Sequence, residues 1–143
     1  LGTYGSVALI LVLGAKAAGL AELPPAAAAG AIVGGHVWGR AAIVGIVRWS
    51  RYARPEGVGA FTKSPVPAAA LAIPLTASAI AFACVALTSS PLAAFAALAF
   101  VALIAIFMLR YMLRRLAGYT GDGLGTVETL SELGVILAVA ACV

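Results

Sequence analysis

Apolar runs about as long as a bilayer is thick dominate this chain and leave few folds open to it. They cover about Gly5–Leu23, Ala26–Val47, Pro67–Thr88, Leu92–Leu113 and Glu128–Val143. A helix needs about 20 apolar residues to cross the hydrocarbon core, so the first four runs qualify directly. The fifth is shorter and has acids at its start. No period-two pattern of barrel length occurs, and only helices or closed barrels satisfy their backbone inside lipid. The expected fold is therefore all-α, a polytopic membrane bundle of about five helices in one membrane domain, residues 1–143. Composition agrees, with 64% hydrophobic and 10% charged residues and a mean hydropathy of +1.12, against about a quarter charged in soluble domains.

Charge placement sets the expected orientation. Seven of the nine basic residues fall in alternate connections: Arg48, Arg51, Arg54 and Lys63 in one, Arg110, Arg114 and Arg115 in another. The connections between them hold only Glu22, or no charge at all in "TSSP". Basic loops stay on the cytoplasmic side, which predicts a cytoplasmic N-terminus and an external C-terminus. The net charge of +4 serves this topology. Without an aromatic-interleaved basic stripe, it does not indicate nucleic acid. Cys84 and Cys142 form no CxxC pair and read as small hydrophobes in helices. The polar start "LGTYG" has no basic n-region, so the first run is not read as a signal peptide.

Within the second run, Gly30 and Gly34 are four apart, as are Gly35 and Gly39. That spacing either lets helices approach closely or is simple Ala/Gly drift. Pro74 is expected to kink the third helix.

Three of the five carboxylates, Asp122, Glu128 and Glu132, fall within "GYTGDGLGTVETLSELG". With a helix starting near Val127, Glu128 and Glu132 share a face and Asp122 lies in the glycine-rich turn before it. Converging carboxylates suit a hard cation such as Mg²⁺. The competing readings are a capping box, Thr129-x-x-Glu132, and a plain turn residue at Asp122. The segment "RWSRYARPEGVGAFTKS" joins arginines to Gly57-x-Gly59, which suits phosphate or simply anchors the loop. Arg40, seven residues inside the second run, either faces a wet cavity or snorkels to the headgroups. His36, on its face, reads as a packing histidine, and Lys16 as a snorkelling residue near the outer surface. Arginines and acids at one membrane face are the equipment of phosphoryl transfer.

The segments "LGTYGSVALILVL", "RYARPEGVGAF" and "GYTGDGLGTVETLSEL" resemble the cobalamin synthase family, the adenosylcobinamide-GDP ribazoletransferases. The resemblance covers essentially the whole chain. It implies a helical bacterial inner-membrane enzyme that needs Mg²⁺. Its substrates would be adenosylcobinamide-GDP and α-ribazole, or the 5′-phosphate. Its products would be adenosylcobalamin, or its phosphate, and GMP. Matched residue by residue, Asp122, Glu128, Glu132, Arg40, Arg51 or Arg54, Gly57 and Gly59 fall on family positions; we read Asp122, Glu128 and Glu132 as holding the metal and Asp122 and Arg40 as catalytic. Arg51, Arg54, Gly57, Gly59, Lys63 and Thr120 would then contact substrate, with Arg54 joining Arg40 at the diphosphate. Trp38, Trp49, Tyr52 and Tyr119 read as interfacial anchors or corrinoid contacts. The family's upstream "DGLADTxDG"-type motif is missing, so the chain is expected to be a C-terminal portion of a longer protein, inactive alone. Competing functions are a membrane CDP-alcohol phosphotransferase, whose signature is absent, and a transporter or non-catalytic membrane subunit. Homo-oligomers are compatible with the glycine spacing.

Overall fold

The computed structural model describes residues 3–53 and 66–143. Five helices form it: α1 (Thr3–Ala21), α2 (Pro25–Trp49), α3 (Ala72–Thr88), α4 (Pro91–Leu116) and α5 (Gly121–Ala140). A 3-10 turn, Ala68–Leu71, leads into α3. All five spans are long and apolar enough to cross a membrane, α3 together with its leading turn. The chain is thus the expected polytopic helical bundle.

Local chemistry sets the helix ends. Pro25 opens α2 with its φ already helical and no N–H to leave unpaired. Ser90 caps α4 by accepting from the Ala93 N–H at 3.1 Å, with Pro91 next in line. Arg114 and Arg115 occupy the last turn of α4, where cations complement the helix dipole. Ala117 then breaks the helix in a left-handed conformation, φ 57°, which costs an L-residue roughly 1–2 kcal/mol.

Two expectations change. The fifth helix starts at Gly121 rather than near Val127, so "GDGLG" is its first turn. The Thr120 hydroxyl caps it by accepting from the Gly123 N–H at 3.2 Å, which displaces the capping box proposed at Thr129. Pro74 sits in the first turn of α3, just after the leading 3-10 turn, rather than in mid-helix, at a position where an α-helix has no intrahelical use for its N–H.

Helix α2 packs on α3, α4 and α5, and α5 packs on α1, α2 and α4. The two glycine pairs of α2 explain how it serves two neighbours. A Cβ at Gly30 or Gly34 would run into Thr88 or Val85 of α3. A Cβ at Gly35 would lie 3.0 Å from the Glu132 Cα, and one at Gly39 3.5 Å from the Glu128 Cα. The glycines are therefore contact rows rather than drift. The main apolar core includes Trp38, Val85, Ala97, Val101 and Val139. A second cluster, Ile46, Met108, Met112, Tyr119 and Val127, closes the end bearing the basic connections.

Candidate functional site

The end of α2 and the start of α5 are stitched together by backbone. The Tyr119 N–H donates to the Arg51 carbonyl and the Ala53 N–H to the Tyr119 carbonyl, both at 2.9 Å. The two residues form an isolated parallel bridge, Tyr52 to Tyr119, and their rings lie 5.5 Å apart. Gly118 permits the approach, because a Cβ there would strike the Arg51 carbonyl. The clamp brings Arg51 beside the α5 N-terminus. Tyr119 is buried, so the ring tightens the clamp and does not act as an interfacial anchor. Trp38 is buried too and donates from Nε1 to the Ser78 carbonyl at 3.2 Å, whereas Trp49 is exposed at the end of α2.

Asp122 is exposed in the first turn of α5. Thr120 satisfies the Gly123 N–H and its carbonyl accepts from Leu124 at 3.0 Å. The N–H groups of Gly121 and Asp122 lie outside the intrahelical ladder. Nothing crowds the α-carbons of Gly121 or Gly125. An open helix N-terminus of this kind favours an anion.

Deeper in the bundle, the other two acids meet cations. Arg40 Nε donates to Glu128 Oε1 at 3.0 Å. One turn further along α5, Glu132 Oε2 takes Lys16 Nζ of α1, and its other oxygen lies 3.5 Å from His36 Nε2. His36 Nδ1 lies 3.1 Å from the Ile32 carbonyl oxygen. Counting His36 as neutral, two acids face two permanent cations and this column carries no net charge.

The three acids therefore do not converge. Asp122 is six residues from Glu128, about 9 Å along the helix and a third of a turn round it. Among the described residues no group of three His, Cys, Asp or Glu side chains lies close enough to hold a metal ion. The carboxylate cluster depended on a helix starting at Val127, and the earlier start separates its members. Lys16 is also not a snorkelling residue. Its side chain is only 15% exposed and is turned inward onto Glu132. His36 shares that carboxylate rather than merely packing. Arg40 neither snorkels away nor stands alone: it is anchored at one edge and 72% exposed. Sequence reasoning missed Lys16 as a site residue, although it is the one basic residue of the first run. Arg54, Gly57, Gly59 and Lys63 lie outside the described residues.

On the other side of α2, an apolar groove of about 350 Å³ runs between α2, α3 and α4, lined by residues including Trp38, Ile46, Trp49, Val101 and Leu109. None of its lining residues is charged.

Comparison with known proteins bears on this geometry. The profile of the family described as Cobalamin-5-phosphate synthase matches residues 1–140. A Sinorhizobium protein named adenosylcobinamide-GDP ribazoletransferase is 36% identical over 98% of the chain and 55% of its own length. Proteins of the same name from Leptothrix cholodnii and Citrobacter koseri are 37% and 38% identical, over 54% and 56% of their lengths. The chain thus spans about half the length of the curated relatives it matches. No solved structure matches it. With nearly its whole length matched by the profile, the chain belongs to the Cobalamin-5-phosphate synthase family.

Proposed function

We propose that this chain is a membrane-embedded, C-terminal portion of an adenosylcobinamide-GDP ribazoletransferase. In that reaction a hydroxyl of α-ribazole, or of its 5′-phosphate, attacks the cobinamide-linked phosphorus of adenosylcobinamide-GDP. A P–O bond forms, the diphosphate P–O bond breaks, GMP leaves and the hydroxyl proton is released. The product is adenosylcobalamin or its phosphate. The observation that carries the reading is the meeting of Arg51, the open α5 N-terminus and Asp122 at one end of an otherwise apolar bundle. Backbone N–H groups and guanidinium groups together stabilise charge on phosphate oxygens. We place the basic end on the cytoplasmic side of a bacterial inner membrane, following the positive-inside rule. The family match favours this reading over a CDP-alcohol phosphotransferase, a transporter or a non-catalytic subunit.

Mg²⁺ is part of the proposal, with a reduced ligand set. A three-acid cage does not fit, because Glu128 and Glu132 each already face a cation. Asp122 fits, since it is exposed and no cation is paired with it among the described residues. Mg²⁺ is commonly held by one or two carboxylates together with substrate phosphates and water. When bound, the ion would supply neutralising charge to the diphosphate.

The test is Asp122→Asn in the intact membrane protein. GMP release from adenosylcobinamide-GDP and α-ribazole is expected to fall at least about 100-fold, in line with the loss of one transition-state contact, with membrane insertion unchanged. Undiminished release would refute the assignment. Loss of uptake in a protein that never releases GMP would favour the transporter.

A further inference from the structure

We infer that Glu128 is a positioning residue for Arg40, and that it presents the outer edge of the guanidinium to a phosphate-bearing substrate instead of binding metal. This rests on the transferase reading above and assigns a role to the ion pair that lies next along α5, deeper in the bundle than Asp122.

Four observations lead there. First, the contact uses Arg40 Nε and one oxygen of Glu128, at 3.0 Å. A guanidinium has five N–H donors in a planar fork, so the four on the two Nη atoms stay available for a bidentate phosphate contact. Second, Arg40 is 72% exposed while Glu128 is 28% exposed. The acid is the fixed partner and the arginine the presented one. Third, Gly39 lies directly beneath Glu128, where a Cβ would be 3.5 Å from the Glu128 Cα. The glycine next to Arg40 in sequence thus sets the helix separation at which the pair can meet. Fourth, charge along the column is already balanced. A divalent ion at Glu128 or Glu132 would have to displace Arg40 or Lys16 and leave a cation unpaired within the membrane span, which is expensive.

A metal ligand, a structural ion pair and a positioning residue give different kinetics. The intact protein in native membranes would be assayed for GMP release while substrate and Mg²⁺ are varied separately. For a positioning role, Glu128→Gln lowers kcat/KM about 10- to 100-fold and leaves the half-saturating Mg²⁺ concentration unchanged. Arg40→Gln gives at least as large a fall, and Arg40→Gln/Glu128→Gln is no worse than Arg40→Gln alone. Glu128→Asp recovers part of the activity. The exchanged pair Arg40→Glu/Glu128→Arg restores protein levels in the membrane but not GMP release.

A tenfold or larger rise in the Mg²⁺ requirement of Glu128→Gln would make Glu128 a ligand and overturn the inference. Full activity in the exchanged pair would make the contact purely structural and overturn it as well. Either result, in a protein whose parent releases GMP, leaves the transferase reading standing. A parent protein that releases no GMP would overturn both.

Discussion

Lys16 and Glu132 meet inside the membrane span, 116 positions apart in sequence, with side chains only 15% and 19% exposed. Breaking such a pair from one side strands a charge, at roughly 3–5 kcal/mol for a buried pair. Lys16→Met is therefore expected to lower the heat resistance of the detergent-solubilised protein sharply, with His36 left as the sole partner of Glu132. Lys16→Met/Glu132→Met is expected to recover most of the loss. Equal losses in the single and double variants would show that the pair carries no stability. At this scale the sequence was partly readable. Glu128 and Glu132 share a face by their spacing alone, and they do so in the structure. Their partners were hidden because the register between helices decides who meets whom. A lone lysine in an apolar run looks the same whether it turns outward or inward.

Helix α2 shows how small residues set that register. Gly30 and Gly34 admit α3, and Gly35 and Gly39 admit α5. Gly35→Val is expected to push α5 outward, since its Cβ would press on the Glu132 backbone at 3.0 Å. Loss of thermal stability, followed by circular dichroism, should accompany a weakened hold on Glu132. Gly14→Ala on α1 is the control, because nothing lies within 4 Å of the added methyl. It is expected to be neutral or to stabilise by about 0.5–1 kcal/mol through helix propensity. An equal fall in both variants would contradict the close-contact role. The spans themselves were legible from hydropathy, to within a few residues at most ends. The start of α5 was not, because three glycines and an aspartate in five residues read as a turn. The Thr120 cap and packing of Gly123 against Met112 outweigh that local preference. Pro74 was legible as a helix disturber but not as a first-turn residue, since that depends on where α3 begins.

For the whole molecule, alternate connections lie at alternate ends of the bundle. The basic connection after α2 and the start of α5 share an end through the bridge between Tyr52 and Tyr119. Cysteines placed at Arg51 and Arg115, in a protein with Cys84 and Cys142 changed to alanine, are expected to react with an impermeant thiol reagent only in inside-out vesicles. Ser89→Cys, in the connection between α3 and α4, is expected to react only in right-side-out vesicles. Labelling of all three from one side would contradict the bundle topology. Reversed labelling would contradict only the orientation. The charge bias behind this expected orientation can be read from sequence, because it depends only on counting arginines by loop. The separation of Asp122 from Glu128 and Glu132 was not readable, because it follows from a helix boundary.

The ion-paired column has an electrical consequence. A full elementary charge carried across the bilayer responds to voltage with about 2.3 kcal/mol per 100 mV. Lys16 and Arg40 oppose Glu132 and Glu128 at matched depths, so with His36 neutral the potential does almost no net work on them together. An energised membrane and a depolarised one should hold these helices in the same packing, and the electrical potential is left without a handle on this column.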